Sequence, residues 1–485
     1  MTQPPTHLAD EVGIAFGNMA DAATGLFTPT LRLGVTGLSR AGKTIFITAL
    51  IHNLLTNGRM PGFSPLVEGR LVGAKLTEYP DREIPRFAYE QHLAAFTAKK
   101  PHWPASTRRI SQIRLTLKYQ SQHWLTGLLG PRQIHLDIID YPGEWLLDLP
   151  LLSLSFAEWS EQTLACVHRP SSAKEAALFL KTMSATDLAK DAQESDAQAL
   201  AAAFTQYLHD SRKDGRALST LPPGRFLLPG DLEGSPALTF APAPTPSTLP
   251  NSASLYAMLE RRYEAYKDIV VRPFFREHFA RLDRQIVLVD TLRALNAGPE
   301  AVADLENAMT NILSCYRQGA ANPLMNIVSK RIDRILFAAS KADHVHHSSH
   351  DRLEAILNKL VANAARRARF SGALTSSIAL AAVRATREDE ISERGEDLKV
   401  IIGTPEKGEI LGDIRYDGKT EIALFPGDLP KKPESAFKPD KTDLGLNFMR
   451  FLPPQNLAHN PQGDPILPHI RFDKALDYLM GDWLA

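Results

Sequence analysis

Gly37-Leu38-Ser39-Arg40-Ala41-Gly42-Lys43-Thr44 has the form G-x-x-x-x-G-K-[ST], the spacing of a phosphate-binding loop. The apolar run Leu31 to Thr36 precedes it, and Ile45 to Leu55 follows with side chains suited to a buried helix. Strand, glycine turn and helix are the context that gives the pattern a mechanism. Glycines let backbone N–H groups curl around an anion, and a helix N-terminus adds unpaired donors and its dipole. Lys43 is then placed to reach the β- and γ-phosphates, and Thr44 to offer its hydroxyl to Mg²⁺. Ser39, Arg40, Ala41, Gly42 and Ile45 complete the expected nucleotide contacts. Arg40 either adds charge at the phosphates or is a solvated surface arginine. The competing reading of the whole stretch is an ordinary glycine-capped turn.

Working outward, 485 residues leave room for two or three domains, or one core with large insertions. Apolar content of 44% and charged content of 23% are those of globular protein. The formal net charge is zero, so no global field attracts nucleic acid. Two cysteines, Cys166 and Cys315, exclude a disulfide framework and fit a reducing compartment. Met1 to Glu11 carries no basic residue and does not read as a signal peptide. No apolar run reaches the ~18 residues of a membrane span. These observations point to the cytoplasm.

A phosphate-loop domain needs further strands ending near the nucleotide. Ile110 to Tyr119 alternates apolar and polar residues, and Arg132 to Asp140 follows the Gly130-Pro131 turn. The two predict a hairpin, one member of which is the sheet edge. The second ends in Asp140-Tyr141-Pro142-Gly143, where a carboxylate can hold a water on Mg²⁺ and the Gly143 N–H can meet the γ-phosphate. Glu144 follows, to orient the attacking water, act as a base, or simply be solvated. Thr107 precedes the first hairpin strand, where a closing threonine belongs, with Ser106 and Thr77 as rivals. The expected metal set is therefore Thr44, Thr107 and Asp140.

Gln285 to Asp290 and Arg334 to Ala339 read as buried strands, the second running into Ser340-Lys341-Ala342-Asp343. That segment resembles the [NTS]-K-x-D base-reading motif. A carboxylate there accepts two hydrogen bonds from guanine N1–H and N2–H₂, and the lysine stem covers the ring. The alternative is a polar helix start. Ser377 to Val383 predicts a last strand, with Ala382 and Val383 beside the base, although Ala382-Val383-Arg384 departs from the usual Ser-Ala-Lys.

About 200 residues separate Asp140 from Ser340, far more than one crossover needs. Helices are expected at Ala173 to Met183, Asp196 to Leu208 and from Ser254 onward, the last kinked at Pro273. The Pro-rich chain 214–252 reads as an extended, semi-rigid or mobile loop outside the core. Asp351 to Phe370 predicts one amphipathic helix. His344-Val345-His346-His347-Ser348-Ser349-His350 raises zinc, but with no partner Cys or carboxylate spacing it reads as a solvated loop. Leu398 to Ile402 and Thr420 to Phe425 flank Asp417-Gly418, a hairpin signal. Ile470 to Leu484 predicts a docked helix, and Leu8 to Phe27 an amphipathic one.

The expected fold class is α/β: a P-loop NTPase, GTPase-like core whose mostly parallel sheet carries an antiparallel edge strand, with a large helical insertion and a small β addition. The expected segments are 28–150 and 283–395 for the core, 151–282 for the insertion, 396–430 for a β-meander and 431–485 for a C-terminal extension.

The phosphate loop, Trp103-Pro104 with Thr107, Asp140-Tyr141-Pro142-Gly143, Ser340-Lys341-Ala342-Asp343 and the ending Leu479-Met480-Gly481-Asp482 together resemble the bacterial YcjX family over essentially the whole chain. The resemblance implies a P-loop, GTPase-like protein linked to bacterial stress response. It also implies a partner with membrane segments encoded nearby, hence peripheral placement at the inner membrane. The combined expectation is a slow GTPase that binds GTP/GDP with Mg²⁺ and acts as a switch. The alternatives are an ATPase in which Glu144 activates water, and an interaction scaffold stabilised by a fixed nucleotide.

Overall fold

The structure, a computed structural model, describes residues 28–38, 40–80, 83–105, 107–122, 130–213, 221–246, 251–314, 332–393, 396–437 and 445–485. The expected helix Leu8 to Phe27, Ser39, Ser106 and Cys315 lie outside the described residues. The chain divides into two compact units: 1–141, 281–302 and 317–485 form the first, and 142–280 with 303–316 the second.

Seven strands make the sheet of the first unit: β1 (Thr30–Gly37), β2 (Leu71–Thr77), β3 (Ser111–Tyr119), β4 (Arg132–Asp140), β5 (Arg284–Val289), β6 (Arg334–Ala339) and β7 (Leu374–Ala379). Their order is β2-β3-β4-β1-β5-β6-β7. β1 pairs in parallel with both β4 and β5, and β5–β6–β7 continue in parallel. β3 alone runs against its neighbours. This corrects the expected antiparallel edge: β3 is second from the edge, and Leu71–Thr77 closes the sheet. β2 escaped notice because Gly73 and Lys75 interrupt its apolar pattern, leaving it half-buried. β7 also starts three residues before the expected Ser377 and stops at Ala379, so Leu380 to Val383 lie past the strand.

Period-2 patterning builds the core. Leu33 and Val35 of β1, Leu136 and Ile138 of β4, and Ile286 and Leu288 of β5 share one buried cluster with Phe46, Leu50 and Leu54 of helix α1 (Lys43–Leu55). β5 is buried at all six positions, as expected of a central parallel strand. The C-terminal helix Phe472–Met480 belongs to the same cluster, with Phe472 edge-on to Phe46 at 5.1 Å. Expected as one helix, Asp351 to Phe370 forms two, His350–Leu360 and Ala362–Phe370, meeting at Val361.

A three-stranded antiparallel sheet follows: β8 (Arg387–Glu393), β9 (Glu396–Gly403) and β12 (Ile422–Leu424), with the two-residue strands β10 (Ile410–Leu411) and β11 (Ile414–Arg415) forming their own hairpin. The Asp417 Oδ1 accepts hydrogen bonds from the Lys419 and Thr420 backbones, an Asx turn at the expected hairpin signal.

The second unit packs helices Phe156–Val167, Ala173–Ser184, Glu194–Lys213 and Leu255–Tyr266. Around Pro273 the chain stays helical, with wide turns at Lys267–Val271 and Phe275–Phe279 absorbing the missing N–H. The Pro-rich stretch is a second correction. Phe226 and Phe240 within it are buried, and Phe240 packs on Trp159, Tyr263 and Tyr266 with ring centroids 5.3–5.7 Å apart. Aromatic residues threaded between prolines outweigh the composition around them. Among the described residues no helix is long and apolar enough to cross a membrane.

Candidate functional site

The loop between β1 and α1 is built by its two glycines. A side chain at Gly37 would place its Cβ 2.5 Å from the Leu288 carbonyl oxygen, so only glycine lets β1 turn this close to β5. Gly42 caps α1 in the left-handed region at φ 92°, and nothing lies within 4 Å of the position a Cβ would take. Arg40 also adopts positive φ, at 65°, and its side chain is exposed. Ala41 is buried, while Ile45 packs on the main core.

Lys43 and Thr44 open the helix and are buried. The Lys43 Nζ donates to the Gly37 carbonyl at 2.9 Å, holding the ammonium over the loop. The Thr44 and Thr107 hydroxyl oxygens lie 3.2 Å apart, and the Thr107 Oγ1 donates to the Asp140 Oδ2 at 2.7 Å. Thr44, Thr107 and Asp140 thus form one chain that joins the start of α1, the segment before β3 and the end of β4. The Asp140 Oδ1 is buried and makes no hydrogen bond. Burial pushes the Asp140 carboxyl up to about 6, against the opposing pull of the Lys43 charge and the Thr107 hydroxyl. A buried carboxylate oxygen without a donor, beside two threonine hydroxyls, is a hard oxygen donor set that fits Mg²⁺.

Asp343 lies beyond the end of β6 and is buried, and its Oδ2 accepts the Ala385 backbone N–H at 2.8 Å. The Thr386 hydroxyl donates to the Asp343 carbonyl. The loop after β7 and the Ser340–Asp343 segment are therefore fastened together, with Ala382 and Val383 buried in that loop. The Lys341 backbone is left-handed at φ 61°, and its ammonium pairs with the Asp290 Oδ2. Asp290 also caps the next helix, Thr291–Ala297, by accepting the Arg293 N–H.

Gly143 and Glu144 open the second unit, in a 3₁₀ segment Gly143–Ser153. The Glu144 carboxylate is buried and paired with Arg212 at 3.1 Å. This excludes the solvated reading of Glu144, since helix Glu194–Lys213 supplies a cation that its sequence position did not announce. The histidine loop is corrected in the same way: His346 and His350 are buried and only His347 is well exposed.

Several site residues were missed from sequence. Asp290 was read only as a strand end, although a carboxylate closing a buried strand is the signal that marked Asp140. Arg40 and Arg450 stand within electrostatic reach of Arg293, which is held below its usual range by burial and by these two cations against the opposing charge of Asp290. The Trp103 Nε1 donates to the Phe451 carbonyl at 2.7 Å, and the Phe451 ring meets the half-buried His344 edge-on at 5.4 Å. Phe451 thereby contacts both the segment leading to Thr107 and the one following Asp343.

Residues 31–484 match the family described as YcjX-like family, DUF463. The chain is 38% identical over 466 residues to "Ras-like GTPase YcjX" of Escherichia coli (strain K12), covering 94% of this chain and 96% of that protein. It is 37% identical over 474 residues to the protein of the same name from Shewanella oneidensis, covering 94% of each. The chain belongs to the YcjX-like family. The late motif of the family likeness has a structural reason here. Leu479 and Met480 are buried under the sheet, and Asp482 holds Arg284 of β5 at 2.8 Å and Arg334 of β6 at 2.9 Å. That ion-paired cluster fixes the C-terminus to the two strands that lead to Asp290 and Ser340.

Proposed function

We propose that this YcjX-like protein binds GTP with Mg²⁺ and hydrolyses it slowly, as a nucleotide-dependent switch. The observation that carries the reading is the Thr44–Thr107–Asp140 chain, which ends on an undonated, buried carboxylate oxygen within the field of Lys43. In this reading Lys43 and the backbone of 39–45 hold the phosphates, and Arg40, Arg293 and Arg450 add positive field. Thr44 and Thr107 offer hydroxyls to the ion, and Asp140 orders its water shell. An Mg²⁺ ion held by these residues would supply positive charge against the phosphates. The Gly143 N–H reports the γ-phosphate. Asp343, its rotamer set by Ala385, accepts guanine N1–H and N2–H₂, while Ala382 and Val383 border the base.

Turnover is slow in this proposal because the carboxylate of Glu144, the residue expected to orient water, is paired with Arg212. Loss of Thr107 contact on release of the γ-phosphate would change the Trp103–Phe451 hydrogen bond, giving the switch a readout in the accessory β sheet. The second unit acts as an inserted sensor. The wider role, a switch in a bacterial stress response beside a partner with membrane segments, rests on the family resemblance, while the names of the two relatives support the GTPase-like reading alone. Competition of GTP and ATP for a labelled analogue tests the guanine assignment, and ATP winning would replace it with an ATPase. If Lys43→Ala abolished nucleotide uptake yet left partner binding unchanged, the scaffold reading would take its place.

A further inference from the structure

The histidine-rich loop lacks a partner carboxylate in sequence, and the fold supplies one. β8 brings Glu388 against His346 and His347, so that one atom from each of the three lies within 4.8 Å of the others. The Glu388 Oε2 accepts from the His347 Nδ1 at 2.5 Å and lies 3.9 Å from the His346 Nε2. Its other oxygen, Oε1, is engaged by Arg384 at 3.1 Å, which orients the carboxylate and leaves Oε2 facing the two rings. The His346 Nδ1 and the Ser348 hydroxyl are 2.9 Å apart. The Nδ1 also accepts the Ser348 backbone N–H at 3.3 Å, so ligation through Nε2 moves the ring proton to Nδ1, from which it donates to the Ser348 hydroxyl. Two imidazoles and a carboxylate are a donor set that zinc uses with a fourth position left to water, and a hydrogen bond to the far ring nitrogen is the usual support for a ligating histidine.

We propose that His346, His347 and Glu388 form a transition-metal site that takes Zn²⁺ and clips the loop after Asp343 to strand β8. The geometry needs little change. Metal–ligand bonds of about 2.0–2.1 Å place donor atoms roughly 3.3 Å apart around a tetrahedral ion, so Oε2 and the His347 Nδ1 separate slightly while the His346 Nε2 closes in. His347 is two-thirds exposed (67%), so its ring has room for that movement and the ion a route of entry. Both tethered segments hold Asp343, through Ala385 and Thr386 on one side and its own chain on the other. The clip would therefore brace that residue whichever nucleotide is bound, and the proposal does not depend on the nucleotide reading.

The test is Zn²⁺ titration of the full-length, metal-stripped protein carrying no polyhistidine tag, in excess Mg²⁺ to saturate hard oxygen sites. The expected result is one tight equivalent, weakened by about tenfold or more in both His347→Ala and Glu388→Gln. The affinity should fall as pH drops through the histidine range, because the ligating rings must be neutral. Midpoint temperature should rise with Zn²⁺ in the wild type and not in His347→Ala. Equal Zn²⁺ affinity in wild type and both variants, or no stoichiometric uptake by the wild type, would overturn the proposal. Circular dichroism of the two variants excludes misfolding as the cause of lost binding.

Discussion

Asp140 and Asp148 are eight residues apart in sequence, and both are fully buried with carboxyls pushed up to about 6. Their surroundings differ. Asp148, in the second unit, accepts from the Gly224 N–H at 2.6 Å, the Arg225 N–H at 3.3 Å and the Tyr266 hydroxyl at 2.7 Å. Both its oxygens are engaged, and Arg225 lies over the Trp145 ring beside it. Asp140, in the first unit, receives one side-chain hydrogen bond at Oδ2 and none at Oδ1. A buried carboxylate with its acceptors filled ties segments together, whereas one with an oxygen left over is poised for something outside the protein. Burial and a raised pKa are therefore common to both acids, and what differs between them is the number of side-chain and backbone donors at their oxygens.

The largest expected effect that would break this comparison is on Asp148. Asp148→Ala strips acceptors from two backbone N–H groups and a buried tyrosine, and should destabilise the second unit by about 3–5 kcal/mol in urea unfolding. A loss below about 1 kcal/mol would mean the latch is ornamental. Asp140→Asn should act in the opposite sense on the ligand-stripped protein. It keeps an acceptor for Thr107 and removes a buried charge, so stability above pH 7 should rise by up to roughly 3 kcal/mol. At the same time Mg²⁺-dependent GTP affinity should fall by at least about tenfold. Unchanged affinity would place Asp140 with Asp148 as a structural acid.

Acid titration sharpens the same contrast. Each carboxyl has a folded pKa of about 6 against an ordinary value of 3.8, so between these the native state holds more protons than the unfolded one. The stability each contributes is full below pH ~4 and is lost as pH rises through about 6. Mg²⁺–GTP should flatten the Asp140 share of that slope and leave the Asp148 share, as read by unfolding at a series of pH values with and without ligand. The smallest effect is expected for Trp103→Phe, which removes the hydrogen bond to the Phe451 carbonyl. It should cost about 1 kcal/mol, and a loss above about 3 kcal/mol would point to a packing role for the indole nitrogen's neighbourhood instead.

The parts of the fold legible from sequence are those where local chemistry and tertiary context agree. The Gly37–Thr44 loop, the strand Arg132–Asp140 and the strand Arg334–Ala339 are readable because apolar periodicity ends at, or within a few residues of, a glycine or a carboxylate. β2 was not, since a half-buried edge strand carries glycine and lysine and a weak pattern. The Pro-rich stretch was misread because composition reports backbone stiffness, while Phe226 and Phe240 decide burial. At the site, Thr44, Thr107 and Asp140 meet as one hydrogen-bonded chain, with the Lys43 charge acting on Asp140. The pairings Glu144–Arg212, Lys341–Asp290 and Glu388 with His346 and His347 join residues 41–68 positions apart. No spacing rule within one segment reveals contacts of that range.

The most direct measurement is calorimetric titration of ligand-stripped wild type and Asp343→Asn with GTP and with ATP, each with and without Mg²⁺. The account predicts stoichiometric GTP binding by the wild type that strengthens with Mg²⁺, ATP binding at least about tenfold weaker, and a GTP preference that collapses in Asp343→Asn while ATP affinity hardly moves. No uptake of either nucleotide by the wild type, or equal affinity for both that Asp343→Asn leaves untouched, would contradict it.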